Sequence, residues 1–241
     1  MSIAAGSETG GVMRVRVDVA SDVPSLPWDD VHGPARAVVY GLLGEQNPTL
    51  AQSLHDEGWG GQPLKPVGLT APVFRGGRRR KGVYTASSDG SIWFGSPVPE
   101  IVSVLVAALA DRTEIQWGSV RLRVRGFAMD GGQGAEDGHA ELSTVTPTVV
   151  KKDSRYLLPW DAGYEERLLH NLAHKADVLG LSAPSGLRVL EAGPSRRFSV
   201  RGAPRTGAQV RVAIESDARF VTALRSWGLG LDNMQGFGWI R

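Results

Sequence analysis

The sequence of 241 residues contains no cysteine and no run of 18 apolar residues. The first absence excludes disulfides and cysteine-ligated metal centres, and favours a reducing compartment such as the cytoplasm. The second predicts that no segment spans a membrane. The N-terminal stretch MSIAAGSETGGV has no charged region followed by an apolar one. We therefore expect no signal peptide and interpret residues 1–12 as a disordered leader.

The chain also lacks a Walker-type GK[ST] motif, although it contains 31 glycines. Their densest cluster is SWGLGLDNMQGFGWIR, from Ser226 to Arg241. In nucleotide-binding glycine loops, a strand leads through the glycines into a helix N-terminus. Here a helical pattern precedes Gly228, with Ser216 as its expected N-cap, and a short apolar strand is predicted after Gly236. A nucleotide cofactor is therefore not expected.

Basic residues are concentrated in three segments, although the net charge is only +2. The segments are 75–82 (RGGRRRKG), 151–155 (KKDSR) and the arginine-rich 187–205. Lysine and arginine bind phosphates through charge and, for arginine, bidentate hydrogen bonds. The alternative is that these segments are solvated hairpin tips. The residues that we expect to bind a polyanion are Arg78, Arg79, Arg80, Lys81, Lys151, Lys152, Arg196 and Arg197.

The order of predicted elements is the same in the two halves of the chain. Alternation in 13–20 (MRVRVDVA) predicts a strand, and helices at 34–43 and 47–58, an extended segment, a hairpin around Asp89–Gly90, a helix and a strand region follow. After a glycine- and acid-rich linker, 129–138, the pattern returns and ends with a helix at 216–227 and a final strand. We predict an α+β fold of two tandem ferredoxin-like (βαββαβ, RRM-like) domains, residues 13–128 and 139–241.

The glycine-rich loop, residues 228–238 (GLGLDNMQGFG), resembles the signature of the CRISPR-associated repeat-processing endoribonucleases, the Cas-six type of RAMP protein. The segments NPTLAQSLHDEG, FGSPVPEIVSVLVAAL and LSTVTPTVVKKDSRYL resemble that family in the same order, so the resemblance extends from Met13 to Arg241. It implies an enzyme that binds the repeat of CRISPR precursor RNA and cuts it once without a metal or cofactor. It also implies that the loop lies against the RNA-binding cleft, where backbone N–H groups meet phosphates. The loop residues expected there are Gly228, Gly230, Asn233, Gln235, Gly236 and Gly238.

Metal-free RNA cleavage uses the 2′-OH of the substrate as nucleophile, so the protein must transfer protons and stabilise a phosphorane. His55 matches the position of the family's catalytic histidine, and Tyr40 and Lys65 match two positions that assist in some members. The alternatives are that His55 merely ends a helix and that Tyr40, inside the apolar pattern AVVYGLL, is a core residue. His32 is the spare candidate, although a capping or solvent-exposed role is commoner for a histidine before Pro34.

Two further patterns of charged or metal-binding residue types are best explained by solvent exposure. His170 and His174 form an i, i+4 pair that would suit zinc, but both fall opposite the apolar stripe of their helix, which predicts solvent exposure. Arg121, Arg123 and Arg125 alternate with apolar residues and predict a solvated sheet face.

Two functions remain open from the sequence. One is the endoribonuclease, with the CRISPR repeat or precursor crRNA as its partner. The other is a non-catalytic RAMP subunit that holds guide RNA together with other CRISPR effector subunits. The sequence leaves monomer and homodimer equally open.

Overall fold

The computed structural model describes residues 13–77, 82–131 and 138–241. The predicted leader, most of the predicted linker, and the basic residues Arg78, Arg79, Arg80 and Lys81 lie outside these ranges.

The first half of the chain contains three α-helices and eight strands among its described residues. The helices are α1 (Ala35–Gln46), α2 (Pro48–Asp56) and α3 (Pro99–Ala110), and the strands are β1 (Arg14–Ser21), β2 (Ser25–Leu26), β3 (Gly68–Leu69), β4 (Val73–Phe74), β5 (Tyr84–Thr85), β6 (Gly90–Gly95), β7 (Glu114–Trp117) and β8 (Val120–Asp130).

The described residues of the second half form two α-helices and seven strands. The helices are α4 (Tyr164–Val178) and α5 (Ala218–Trp227), and the strands are β9 (Gly138–Ser143), β10 (Val150–Lys152), β11 (Arg155–Leu157), β12 (Gly186–Ala192), β13 (Arg196–Val200), β14 (Ala203–Gly207) and β15 (Val210–Ser216).

The first sheet is antiparallel, with the order β3-β6-β1-β8-β7. β4 also pairs with β6, four residues beyond β3 on the same edge, so that β3 and β4 act as one interrupted strand. The order of the four principal strands is that of a βαββαβ unit, and β7 adds a hairpin at the far edge. Val15, Val17 and Val19 are buried on the helix-covered face, as the alternation of β1 predicts.

The second sheet repeats this arrangement in the order β12-β15-β9. The fourth position is occupied by a single bridge between Ile240 and Thr144, reinforced by a hydrogen bond from Arg241 N to Ser143 O. The fold class is therefore as predicted, with two ferredoxin-like units in an α+β chain.

Local signals explain where the helices begin. The Asn47 side chain accepts a hydrogen bond from Leu50 N at 3.0 Å, and Pro48 occupies the first turn of α2, as the Asn-Pro pair predicts. The N-cap of α5 is Asp217, which accepts from Phe220 N at 2.7 Å; the prediction of Ser216 was wrong by one residue.

Three further predictions about strands were wrong. β5 pairs with β2 rather than with β6, because both edges of β6 are occupied by β1 and by β3 with β4, so the hairpin around Asp89–Gly90 does not form. The region 187–214 contains four strands rather than two, since the antiparallel hairpin β13–β14 is inserted between β12 and β15. The final strand is reduced to the bridge at Ile240.

The two halves share a core. The larger hydrophobic cluster contains the buried residues of the first half together with Val149, Phe198, Val200, Met234 and Phe237 of the second. The smaller cluster lies within the second half, between α4, α5 and the sheet. Because this core contains residues from both halves, the division of the chain into two domains between residues 128 and 139 stays a prediction.

None of the described helices is long and apolar enough to cross a membrane.

Candidate functional site

Helices α1 and α2 pack against each other and bring Tyr40 and His55 into contact. The ring centroids lie 5.1 Å apart with the planes inclined by 63°. His55 is exposed, whereas Tyr40 is half-buried, with its hydroxyl 3.5 Å from Leu54 O. Burial raises the pKa of Tyr40, and the nearby Arg36 opposes this increase. Tyr40 therefore packs against the edge of the core while part of its ring stays accessible, and its role as a core residue or a catalytic one stays open.

The carboxylate of Asp56 orients the ring of His55 through a hydrogen bond to Nδ1. The Nδ1–H of His55 donates to Asp56 Oδ1 at 2.8 Å, and both side chains are about half exposed. This hydrogen bond and a second from Gln52 lower the pKa of Asp56, which therefore stays ionised. A carboxylate that accepts from Nδ1 sets the ring tautomer and leaves Nε2 as the nitrogen that can exchange a proton with a substrate.

After α2 a compact turn brings the chain back, so that Lys65 lies near Asp56 and Arg36. Trp59 N donates to both Gln62 O and Leu64 O, which closes the turn, and Gly58 enters it with φ 79°. Partial burial lowers the pKa of Lys65, the charge of Arg36 lowers it further, and Asp56 opposes both effects. The structure therefore places the three catalytic candidates, Tyr40, His55 and Lys65, in one region of the surface.

Arg36 belongs to this site, and sequence reasoning missed it. Its guanidinium carbon lies 5.4 Å from the ring centre of Tyr40, which is one helical turn further along α1. The i, i+4 spacing from Tyr40 was the available signal. The resulting arrangement combines a histidine with a carboxylate partner, a tyrosine hydroxyl and two cations, and such groups can move protons and stabilise negative charge.

The glycine-rich loop lies next to this cluster, between the two halves. It contains a short 3₁₀ helix, Asn233–Gln235, and most of its backbone is buried. Several of its N–H groups donate within the protein, for example Gly238 N to Pro147 O and Leu231 N to Val149 O. A Cβ on Gly238 would lie 1.9 Å from Leu229 O, and the residue has φ 68°. The loop glycines thus have a packing requirement of their own, and their contact with RNA stays a prediction.

A cavity lies between the glycine-rich loop and the segments that carry Arg36 and Lys65. Its volume is about 170 Å³. Arg36 and 63–65 line one side of it, 230–235 lines the other, and Trp227 and Lys175 also contribute.

Lys175 is a second residue that the sequence did not indicate. It is 2% exposed, and its Nζ donates to Gly228 O at 2.7 Å and to Asn233 Oδ1 at 2.6 Å. The ammonium also lies 4.5 Å from the ring centre of Trp227. Asn233 in turn donates to Leu229 O and Phe237 O, so these two side chains hold the conformation of the loop. Burial lowers the pKa of Lys175 well below its ordinary value.

His32 lies in the interface between the halves, and only 3% of it is exposed. Its ring stacks on Phe237 at 4.2 Å and meets the edge of Phe198 at 4.4 Å, while Nδ1 lies 2.7 Å from Gln235 O. Burial lowers its pKa to about 4, with the hydrogen bond to Gln235 acting in the opposite direction. The expected capping or solvent-exposed role was wrong, and the burial also removes the residue from contact with a substrate.

The described basic candidates lie on the surface. Lys152, Arg196 and Arg197 are exposed and Lys151 is partly buried, so all four remain predictions as RNA contacts. The arginines of β8 are exposed as expected, and Arg123 pairs with Asp22 at 2.9 Å.

The histidine pair of α4 is solvent-exposed, in agreement with its helical position. Nε2 of His170 and Nε2 of His174 are 3.1 Å apart. Within the described ranges, no three histidine, aspartate or glutamate side chains converge in a group that could hold a metal ion.

The arrangement of two ferredoxin-like units is shared with known proteins. Residues 133–241 match the family model of CRISPR associated protein Cas6, C-terminal. The resemblance to the Cas-six type that the sequence indicated is thereby confirmed. A comparison with curated protein sequences gave no significant match.

Solved structures share the whole fold at low identity. A Cas6-related protein from Pyrococcus furiosus has a TM-score of 0.78 at 18% identity, covering 96% of this chain and 98% of that one. A RAMP protein described as binding different RNA substrates has a TM-score of 0.77 at 18% identity, covering 95% and 98%. A Cas6 product complex has a TM-score of 0.67 at 15% identity, covering 96% and 100%. At these identities the likeness concerns the fold.

Proposed function

We propose that the protein is a metal-independent endoribonuclease that binds the repeat of CRISPR precursor RNA and cleaves it by attack of a 2′-OH. The products are guide RNA ends with a 2′,3′-cyclic phosphate and a 5′-OH. The observation that carries this proposal is the contact between His55 and Tyr40 beside the cations Arg36 and Lys65. The Cas6 name of the matching family model and the Cas6 product complex among the similar structures support the same activity.

The roles follow from the chemistry of each group. His55, oriented by Asp56, takes the proton of the attacking 2′-OH through Nε2. Tyr40 lies against the imidazole, and its hydroxyl donates a proton to the leaving 5′-oxygen or a hydrogen bond to a phosphoryl oxygen. Lys65 stabilises the charge that develops on the phosphorane.

The test uses the repeat RNA of the CRISPR array next to the gene. Cleavage is expected to persist in excess EDTA and to fail when the nucleotide 5′ to the scissile phosphate carries a 2′-deoxy sugar, because the nucleophile is then absent. Loss of activity in chelator that magnesium or manganese restores would contradict the proposal. Tight binding without any cleavage would instead favour a non-catalytic guide-RNA subunit.

A further inference from the structure

The cavity between α1 and the glycine-rich loop has an unusual distribution of charge. Arg36 and Lys65 lie at its wall, and the buried Lys175 lies beneath the loop. The carboxylate of Asp232 also lines the cavity, but Arg205 Nε donates to it at 2.7 Å and offsets its charge. The cavity is therefore electropositive and adjoins the cleavage candidates.

Lys175 has polar and aromatic neighbours but no anionic partner. An ammonium group has three donors. Two of them have acceptors, Gly228 O and Asn233 Oδ1, and the ring of Trp227 lies 4.5 Å from the nitrogen, but among the described residues no carboxylate pairs with Lys175. A buried cation without an anion is costly, which is why burial lowers the pKa of Lys175. An anion in the cavity would remove this cost.

The size of the cavity restricts the anion. About 170 Å³ is room for a phosphate group with a few waters, each of which takes about 30 Å³, but it is below the range of about 300–1,000 Å³ typical of pockets that enclose whole ligands. A phosphate group therefore fits inside the cavity, and the sugar and base attached to it would lie outside.

We propose that Arg36, Lys65 and Lys175 form a pocket for one phosphodiester group of the RNA next to the scissile bond, with the third donor of Lys175 bound to a phosphate oxygen. The assignment of RNA as ligand rests on the proposed function. Lys175 then has two tasks, since it holds the glycine-rich loop through Asn233 and presents its charge to the substrate from beneath that loop.

The experiment measures binding of a non-cleavable repeat RNA, 2′-deoxy at the cleavage position, to the full chain and to three variants. Lys175→Met keeps the length and apolar stem but removes the charge, Arg36→Met removes a charge from the wall, and Arg121→Met is the control, being an exposed arginine on the solvated face of β8. Both pocket variants are expected to bind about tenfold more weakly than the control and to reduce the slope of log affinity against log salt by about 0.7 per lost phosphate contact.

A second arm identifies the phosphate. Single neutral methylphosphonate linkages are placed one at a time around the cleavage position, and one of them is expected to weaken binding to the wild-type protein about tenfold. The same linkage should cause little further loss in Lys175→Met, because the interaction has already been removed. Should Lys175→Met fail to fold, the same comparison with Arg36→Met replaces it.

The outcomes separate this proposal from the activity. If the wild type binds the repeat RNA but does not cleave it, the nuclease proposal fails, whereas the binding measurements still test the phosphate pocket. Equal binding by the pocket variants and Arg121→Met, or equal effects of every methylphosphonate on wild type and variant, would overturn the pocket alone. Absence of RNA binding by the wild type would overturn both.

Discussion

The imidazole of His55 and the ring of Tyr40 lie 5.1 Å apart, on two consecutive helices that no long loop separates. Asn47 ends α1 and caps α2, so the two helices are joined at a single residue, and they also pack directly against each other. The distance between the two rings is thus set by the helix pair that carries them.

Replacement of His55 by alanine separates chemistry from binding. If His55 transfers a proton in the transition state, His55→Ala slows single-turnover cleavage by about 10²- to 10⁴-fold, while affinity for repeat RNA stays nearly constant. His170→Ala, which removes an exposed histidine of α4, is the control and should cleave normally. A wild-type rate for His55→Ala at saturating protein would show that the histidine mechanism is wrong.

Two substitutions of Tyr40 distinguish the role of its hydroxyl from the role of its ring. Tyr40→Phe keeps the contacts with His55 and Arg36 and removes only the oxygen, so we expect single-turnover cleavage to slow by at least about tenfold if the hydroxyl acts in the reaction. Tyr40→Leu removes both. A normal rate for Tyr40→Phe together with a slow Tyr40→Leu would assign the residue to packing instead.

The exposed arginines of β13 should affect binding without changing the chemical step. Replacing both Arg196 and Arg197 by methionine is expected to weaken binding of the 2′-deoxy repeat RNA and to reduce its salt slope by about 1.4, because two phosphate contacts to a single strand are lost. The cleavage rate of bound RNA should change little. Replacement of Arg121 and Arg123 by methionine removes the same charge from the solvated strand β8, and similar losses in both double variants would mean that only overall charge matters.

The packing of the glycine-rich loop predicts a stability effect that is independent of RNA. In Gly238→Val the new Cβ would collide with Leu229 O at a positive φ, so we expect a loss of at least about 3 kcal/mol in the free energy of unfolding. Gly41→Ala in α1, where nothing lies within 4 Å of the added Cβ, should instead stabilise by about 0.5–1 kcal/mol. Urea denaturation measures both, and equal stability of Gly238→Val and wild type would refute the packing argument.

The buried His32 predicts a dependence of stability on pH. Its pKa is about 4 in the folded protein against an ordinary value of 6.5, so between these values the unfolded chain binds a proton that the folded chain does not. Stability that is fully present above pH 6.5 is therefore lost as the pH falls towards 4, by about 3 kcal/mol in total. The free energy of unfolding of His32→Phe, measured by urea denaturation from pH 7 to 4.5, should fall less steeply than that of the wild type. Parallel curves would contradict this assignment.

The backbone of the first half was largely predictable because its signals are local. The alternation of β1 and the Asn47–Pro48 pair each specify their element within a few residues. The shortening of the last strand to one bridge at Ile240 and the pairing of β5 with β2 were not predictable, since both depend on which sheet edges other segments have already occupied.

The residues of the candidate site also fall into those that the sequence indicated and those that it did not. Tyr40, His55 and Lys65 came from a family resemblance, and their catalytic roles remain predictions, although the structure brings Tyr40 and His55 together. Lys175 could not be foreseen. Lysine is rarely buried, and the acceptors of its hydrogen bonds lie 53 and 58 residues further along the chain.

The contact between His32 and Gln235 joins residues 203 positions apart, so it can form only after nearly the whole chain has been synthesised. Domains generally fold from the N-terminus as they leave the ribosome, but the core around His32 needs Phe198 and Phe237. We therefore expect the helix pair carrying Tyr40 and His55 to emerge early and to wait, incompletely packed, until the glycine-rich loop has been translated. A chain that stops short of the loop would lack both the partner of His32 and one side of the electropositive cavity. Prematurely terminated products should consequently be degraded rather than compete with the full-length protein for RNA.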